Sequence, residues 1–392
     1  MPVSEQVTRS ARIRARLAAT VTIAALAIVA APSAAAAPDF GTADFGSSGS
    51  SAGHLKLTYV NSITVPTGTL FEGVPIGGLS GIDYNPATGE YVAISDNRGE
   101  QGPVRYYSLT LPLDPAGKLS TAEFTGQHSL LDTDQTPFAP KTADTESIRF
   151  LPGSDNLLYT SEGSPKLNLP GFVREAARDG RFVRDYTLPD AYAPTAAPPA
   201  GFRENLGFEA MTVDRAGTTI TAASENALAQ DGPAISDTVG STSRFLRLDR
   251  AGGENRGEFV YPVDPIRPAP GEVINPISSV NGIGEILAVG DFDYLVLERN
   301  VTAQSGFSVR LYKTSVHGAQ NVAGKTALDG TERAMRKELA FDFNAAGINP
   351  ECVEGITWGP VLPDGTRTLV LVADDNFGLA GSTTFHLLTD GR

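Results

Sequence analysis

Five stretches of this chain repeat one pattern, and that pattern admits few folds. They are "GGLSGIDYNPATGEYVAISDNRG" (77–99), "DTESIRFLPGSDNLLYTSEGS" (144–164), "LGFEAMTVDRAGTTITAASENAL" (206–228), "GIGEILAVGDFDYLVLERN" (282–300) and "ECVEGITWGPVLPDGTRTLVLVADDNFG" (351–378). Each starts near an acid, alternates apolar and small residues, turns, runs apolar again and ends on an acid. The anchors Ser80, Glu146, Glu209, Glu285 and Glu354 lie 66, 63, 76 and 69 residues apart. Period-two alternation between Gly, Pro, Asp and Asn turns predicts strands throughout. An all-β chain with a repeat of this length predicts a β-propeller of four-stranded blades.

Five blades are favoured, and six result if 320–345 hides a degenerate one. After the fifth repeat only "STTFHLLTD" remains, while the leading run "HLKLTYVNSITVP" (54–66) has no repeat of its own. Pairing the two completes the last blade and closes the ring, which removes exposed edges. Helical spacing is confined to "TERAMRKELA" (331–340), where two or three turns are expected, and to an ambiguous 173–178. Pro-rich 190–202 and 263–276 are expected to be long loops over one face.

The first 37 residues read as an export signal. Arg9, Arg12, Arg14 and Arg16 precede an apolar run at 17–31, and Ala35, Ala36 and Ala37 offer a cleavage site before Pro38. Residues 38–53 are Gly/Ser-rich and read as a flexible leader, so one domain occupies 54–392. The expected location is extracellular, or periplasmic in a Gram-negative host. Of 31 basic and 45 acidic residues, four and one fall in the signal, leaving a strongly acidic product. That balance argues against nucleic acid and anionic membranes as partners and admits a cation-requiring site. Cys352 is the only cysteine, so no intrachain disulfide or cysteine metal site is available, and it reads as a small packed residue. A monomer acting on a small molecule is expected.

Hairpin geometry brings the two acids of each repeat to one end. With Phe150 facing Leu157, Glu146 falls opposite Ser161, beside Glu162. The same reasoning couples Glu209 with Glu225, Glu285 with Glu298, Glu354 with Asp374 or Asp375, and Ser80 with Asp96. If these hairpins are the inner strands of successive blades, all five pairs face one mouth of the central channel. Two unit charges 4 Å apart repel by about 4 kcal/mol at an effective dielectric of 20. Such crowding calls for protons, basic residues or hard cations, and calcium accepts six to eight oxygen ligands. Acids at strand ends also cap turns, so a purely structural role stays open. Arg98 and Arg299 directly follow second acids and can grip an anion. Arg149 falls by strand parity on the sheet's other face. The four histidines are scattered, which disfavours zinc, and nucleophile-elbow, zincin and phosphate-loop motifs are absent.

The segments "SGIDYNPATGEYVAISDNRG", "DTESIRFLP", "GFEAMTV", "YLVLERN" and "NPECVEGITW…LVLVADDN" resemble the phytase-like family described as "esterase-like activity of phytase". The resemblance runs over about residues 56–390 and implies an exported, acid-rich propeller that hydrolyses phosphate esters. Its first repeat carries Ser80 where the others carry Glu. On that reading Glu146, Glu209 and Glu354 are catalytic candidates. Asp96, Glu162, Glu225, Glu298 and Asp374 are expected to bind Ca²⁺, and Arg98 and Arg299 to hold the phosphoester. The alternative is a non-enzymatic binding propeller with structural acids. Export makes one direct prediction: the secreted protein begins at or near Pro38. Intact protein retaining Met1 in culture medium, detected by mass spectrometry, would contradict it.

Overall fold

The computed structural model describes residues 55–391 apart from 276–277, so the signal and leader lie outside the described residues. Five four-stranded antiparallel sheets stand in a ring, making a five-bladed β-propeller. From the axis outward, blade 1 comprises Leu79–Asn85, Glu90–Ser95, Arg105–Thr110 and Glu123–Ser129. Blade 2 comprises Thr145–Phe150, Leu157–Ser161, Phe172–Ala176 and Phe182–Asp185. Blade 3 comprises Phe208–Val213, Thr219–Ser224, Ser241–Asp249 and Asn255–Val263. Blade 4 comprises Val280–Ala288, Asp293–Thr302, Gly306–Ser315 and Arg336–Asp342. Blade 5 takes Cys352–Trp358, Arg367–Asp374 and Thr383–Asp390, with Leu57–Val65 as its outermost strand. The leading strand pairs with Thr383–Asp390 along its whole length, from Leu57↔Asp390 to Val65↔Thr383.

No α-helix occurs among the described residues. The helix expected at 331–340 is replaced by irregular chain leading into Arg336–Asp342, which pairs with Gly306–Ser315. Helix propensity there is a weak prior, and the open edge of blade 4 overrides it. The same strand removes the case for a sixth blade. The ambiguous 173–178 falls largely in Phe172–Ala176.

Middle strands are apolar on both faces because each blade packs against two neighbours. Ile82, Ala93 and Tyr107 of blade 1 share a core with Val370, Val372 and Phe385 of blade 5. Leu295 and Leu297 of blade 4 pack with Ile356 and Leu371. At the axis, by contrast, the innermost strands meet edge to edge, and polar side chains stitch every seam. Asp83 accepts from Phe150 N at 2.8 Å and from Thr357 Oγ1 at 2.7 Å, joining blade 1 to blades 2 and 5. Thr212 Oγ1 accepts from Ala288 N at 3.0 Å, and Trp358 Nε1 donates to Ala288 O at 3.3 Å. Arg149 crosses the axis, donating to the carbonyls of Ile82 (2.6 Å), Met211 (2.8 Å) and Ile286 (3.0 Å). Unbroken strand parity puts Arg149 on the sheet's other face from Glu146, but a β-bulge between Thr145 and Ile148 changes the parity.

That bulge recurs in all five innermost strands, between Leu79 and Gly81, Phe208 and Ala210, Ile283 and Glu285, and Val353 and Gly355. A bulge inserts one residue, leaves it unpaired and re-aims its side chain. Deleting 54–66 should strip blade 5 of its outer strand and expose a long edge. We expect the melting midpoint to fall by more than about 10 °C, or the cooperative transition to vanish, when followed by circular dichroism. An unchanged midpoint would show that closure does not depend on this strand.

Candidate functional site

The bulged residues, taken in blade order, are Ser80, Glu146, Glu209, Gly284 and Glu354. The residue before each bulge fixes which second-strand residue stands beside it. Leu79 pairs Ser95, Thr145 pairs Ser161, Phe208 pairs Ser224, Ile283 pairs Glu298 and Val353 pairs Ala373. The next residue in each second strand is therefore Asp96, Glu162, Glu225, Arg299 and Asp374. Glu146 consequently stands on the bulge and not opposite Ser161.

Blade 4 departs from the expected pairing at both positions. Glu285 sits one residue past its bulge, fully buried, and its carboxylate meets Arg149 Nη2 at 2.8 Å, Ser147 Oγ at 2.7 Å and Met211 N at 2.9 Å. Glu298 sits one residue short and points into the seam between blades 3 and 4. It accepts there from Tyr261 Oη at 2.8 Å, Lys337 Nζ at 2.5 Å and Asn281 Nδ2 at 3.1 Å. Glu298 is thus buried in this seam and is not grouped with the other candidates. Gly284 and Arg299 hold the equivalent places, so one blade contributes a cation where the others contribute acids.

Glu146, Glu162, Glu209 and Glu225 gather, with Asp144, in two overlapping triads. Carboxylate oxygens of Asp144, Glu146 and Glu162 lie within 4.8 Å of one another, and so do those of Glu162, Glu209 and Glu225. All five residues are buried. Glu162 belongs to both triads, accepts from Gly207 N at 3.0 Å, and lies within hydrogen-bond reach of Glu209. Asp144 was not singled out in the sequence, although it opens the second repeat. Arg299 contacts Glu209 at 3.5 Å, Glu225 at 3.6 Å and Glu354 more closely, and donates to Cys352 Sγ at 3.1 Å. The guanidinium expected to grip substrate is therefore enclosed by three glutamates. Arg98 is a third exposed and lies 3.4 Å from Asp144. Asp96 lies near Asp374, Glu354 and Asp144, and Asp374 near Glu354 and Asp375.

Burial, reinforced by neighbouring negative charge, pushes the carboxyls of Asp96, Glu146, Glu162 and Glu209 well above the usual range. Burial likewise raises Asp144 to about 6, against the lowering pull of Arg98, and Glu225 to about 7, against that of Arg299. The site holds too much negative charge for its single enclosed guanidinium. It can be relieved by protons or by hard cations, whose oxygen preference these side chains meet.

A carboxyl raised in the folded state contributes stability that is present below its unfolded pKa and lost as pH rises through the folded one. For Asp144 the loss runs from about 4 to about 6, and for Glu225 from about 4.5 to about 7. In chelator, the melting temperature should therefore fall by several degrees between pH 5 and 7.5. Glu225→Gln should flatten that slope. A chelated protein whose midpoint is level across this range would contradict the crowding described here.

A family model described as "Phytase-like: Esterase-like activity of phytase" matches residues 74–377. No curated protein matches the chain. Among solved structures the chain is similar to the Pseudomonas aeruginosa periplasmic gluconolactonase PpgL, at 13% identity over 79% of this chain and 87% of that one, with a TM-score of 0.33. It is also similar to a structure described as the Dos1 propeller, at 9% identity over 87% and 97% of the two chains, with a TM-score of 0.31. At those scores neither likeness bears on the chemistry. The family match spans most of the chain, from before blade 1 into the last turn preceding its final strand, and this protein belongs to the phytase-like family.

Proposed function

We propose that the protein is an exported hydrolase of small phosphate esters that works with a divalent cation, calcium being the first candidate, at the acidic mouth of its channel. The observation that carries this reading is the pair of carboxylate triads joined through Glu162. Their oxygens suit a hard cation held by Asp144, Glu146, Glu162, Glu209 and Glu225. Such an ion would offset phosphate charge and lower the pKa of an attacking water. Without it, a phosphate dianion would meet a surplus of carboxylates, with the partly exposed Arg98 already paired with Asp144.

The chain's own residues take separate tasks. Glu162 and Glu209 lie close enough to share a proton, so one of them can accept a proton from water. Glu354 is held against the wall by Arg299, which also restrains Glu209 and Glu225. Arg98, partly exposed beside Asp144, is the residue we assign to meet an incoming anion. The small phosphoester, the exported location and a monomeric state belong to this proposal.

The test is a calcium titration of chelator-treated protein with melting temperature and p-nitrophenyl phosphate hydrolysis read in parallel. We expect millimolar calcium to raise the midpoint, because a ligand that binds only the folded state stabilises it. Glu162→Gln keeps the shape but removes one charge common to both triads. It should cut hydrolysis at least 100-fold and shift the calcium response to higher concentration. If calcium and chelator leave the midpoint and hydrolysis unaltered, the site is no metal-dependent hydrolase, and a binding propeller with structural acids becomes the reading to pursue.

A further inference from the structure

The Pro-rich stretch 190–202 contributes nothing to the carboxylate triads, and it walls a cavity of its own. After the outermost strand of blade 2 it doubles back on itself. Thr195–Ala196 pairs with Pro199–Ala200, and Phe202 N donates to Tyr192 O at 3.3 Å. The Tyr192 and Phe202 rings consequently stand 5.5 Å apart, centroid to centroid, and both pack on Phe208 of blade 3. Between this stretch and the third and fourth strands of blade 2 lies a cavity of about 300 Å³. Phe172, Tyr186, Leu188, Tyr192 and Phe202 make most of its wall. Sites for small ligands run from about 300 to 1,000 Å³ and are likewise mostly apolar and aromatic, with a few polar groups.

The polar side chains of this wall are engaged elsewhere, with one exception. Tyr192 Oη donates to Glu258 Oε2 at 3.1 Å and Tyr186 Oη to Arg250 O at 3.1 Å, so neither hydroxyl is left for a ligand. Arg174 lays its guanidinium 4.1 Å from the Phe172 ring centroid. It donates to Asp185 through Nε at 2.6 Å and Nη2 at 3.0 Å, and to Asp132 through Nη1 at 3.1 Å. The exception is Asp190, an exposed lining residue whose carboxylate forms no ion pair among the described residues. Asp185 and Asp190 together outnumber Arg174, the only cationic side chain of the wall. An anion entering here would find no free cation. A cation would find a free carboxylate and several rings, whose faces attract positive charge within about 6 Å.

We propose that this cavity binds a small organic ammonium ion, its apolar body against Phe172, Tyr186, Tyr192 and Phe202 and its charge balanced by Asp190. The apolar wall removes the body from water, and the rings together with the carboxylate favour the charged end. Part of the wall is close-packed main chain. Gly171 lines the cavity, and a Cβ there would lie 2.7 Å from Glu162 O and 3.0 Å from Phe202 Cε2. None of the five triad acids lines the cavity, so the inference does not require the hydrolase reading.

The test titrates the full chain with benzyltrimethylammonium in a calorimeter, with neutral benzyl alcohol and anionic phenylacetate as comparisons. We expect the ammonium to bind at least about tenfold more tightly than either. Asp190→Asn, at an exposed position, should keep the wild-type melting midpoint and weaken the ammonium at least about threefold. Phe172→Leu removes one ring and should weaken it by a similar factor, about threefold. Hydrogen exchange on the wild type locates the ligand without any variant: the ammonium should slow exchange at 171–174 and 186–193. Glu162→Gln should bind it as wild type does. No binding of the ammonium at millimolar concentration overturns the proposal, as does benzyl alcohol or phenylacetate binding equally well. Ammonium binding that calcium displaces or Glu162→Gln abolishes, with exchange at 186–193 unchanged, puts the ion among the triad acids. That outcome overturns the cavity site and leaves the metal reading of the triads standing.

Discussion

A ring of innermost strands has a structural difficulty that an ordinary sheet lacks: their axial edges have no further strand to pair with. Unpaired backbone groups buried in that way cost as much as lost hydrogen bonds. Arg149 and Glu285 meet the difficulty together. The guanidinium serves carbonyls on blades 1, 3 and 4 as well as its own strand, at Ile148. The carboxylate takes the Met211 N–H of blade 3 and the Ser147 hydroxyl of blade 2. Their mutual contact at 2.8 Å neutralises a charge that neither could carry alone at this depth. Removing one partner would leave the other buried and unpaired, at a cost of about 3–5 kcal/mol. The acidic mouth rests on this layer, one residue row above it.

Much of the architecture could be read from the chain because it depends on local periodicity. Two-residue alternation gives strands, Gly and Asp turns give hairpins, and the 63–76-residue spacing of the acids gives blades. Long-range pairing of Leu57–Val65 with Thr383–Asp390 was legible for a different reason: an odd strand at each end leaves no other closed solution. The helix expected at 331–340 failed because tertiary hydrogen bonding on an open sheet edge outweighs a few tenths of a kcal/mol per residue of propensity.

The site was legible only in outline. The five bulges are invisible to simple antiparallel counting, and one inserted residue reverses which side chains face the axis. Aligning the repeats on their acids placed Glu285 with Glu146, Glu209 and Glu354. Aligning them on the apolar residue two places later, through Ile82, Ile148, Met211, Ile286 and Ile356, instead puts Gly284 in that position and Glu285 beside Gly81, Ser147, Ala210 and Gly355. The same shift moves Glu298 to the level of Ser95, Ser161, Ser224 and Ala373, and brings Arg299 level with Asp96, Glu162, Glu225 and Asp374. The signal was present in the apolar residues, which packing constrains more tightly than it constrains acids. Asp144 was missed because no periodic rule marks a residue that precedes its strand.

Breaking the symmetry at blade 4 has an electrostatic consequence. Were that blade to follow the others, acids would continue round the mouth, and any cation taken up would find several similar positions. Arg299 instead places a fixed positive charge between Glu209 and Glu225 on one side and Glu354 on the other. Unlike a metal ion it cannot be chelated away, and against the lowering effect of burial the neighbouring Glu354, Glu225 and Glu209 push its pKa further up, so it keeps its proton. Blade 1 breaks the symmetry a second time, since Ser80 spends its hydroxyl on the Glu146 and Thr145 carbonyls. Negative charge is thereby spread unevenly round the mouth, and the carboxylates come closest together in the two triads joined at Glu162, across blades 2 and 3. Fixed charge from within the chain, and not the spacing of the acids alone, determines how negative charge is distributed round the mouth.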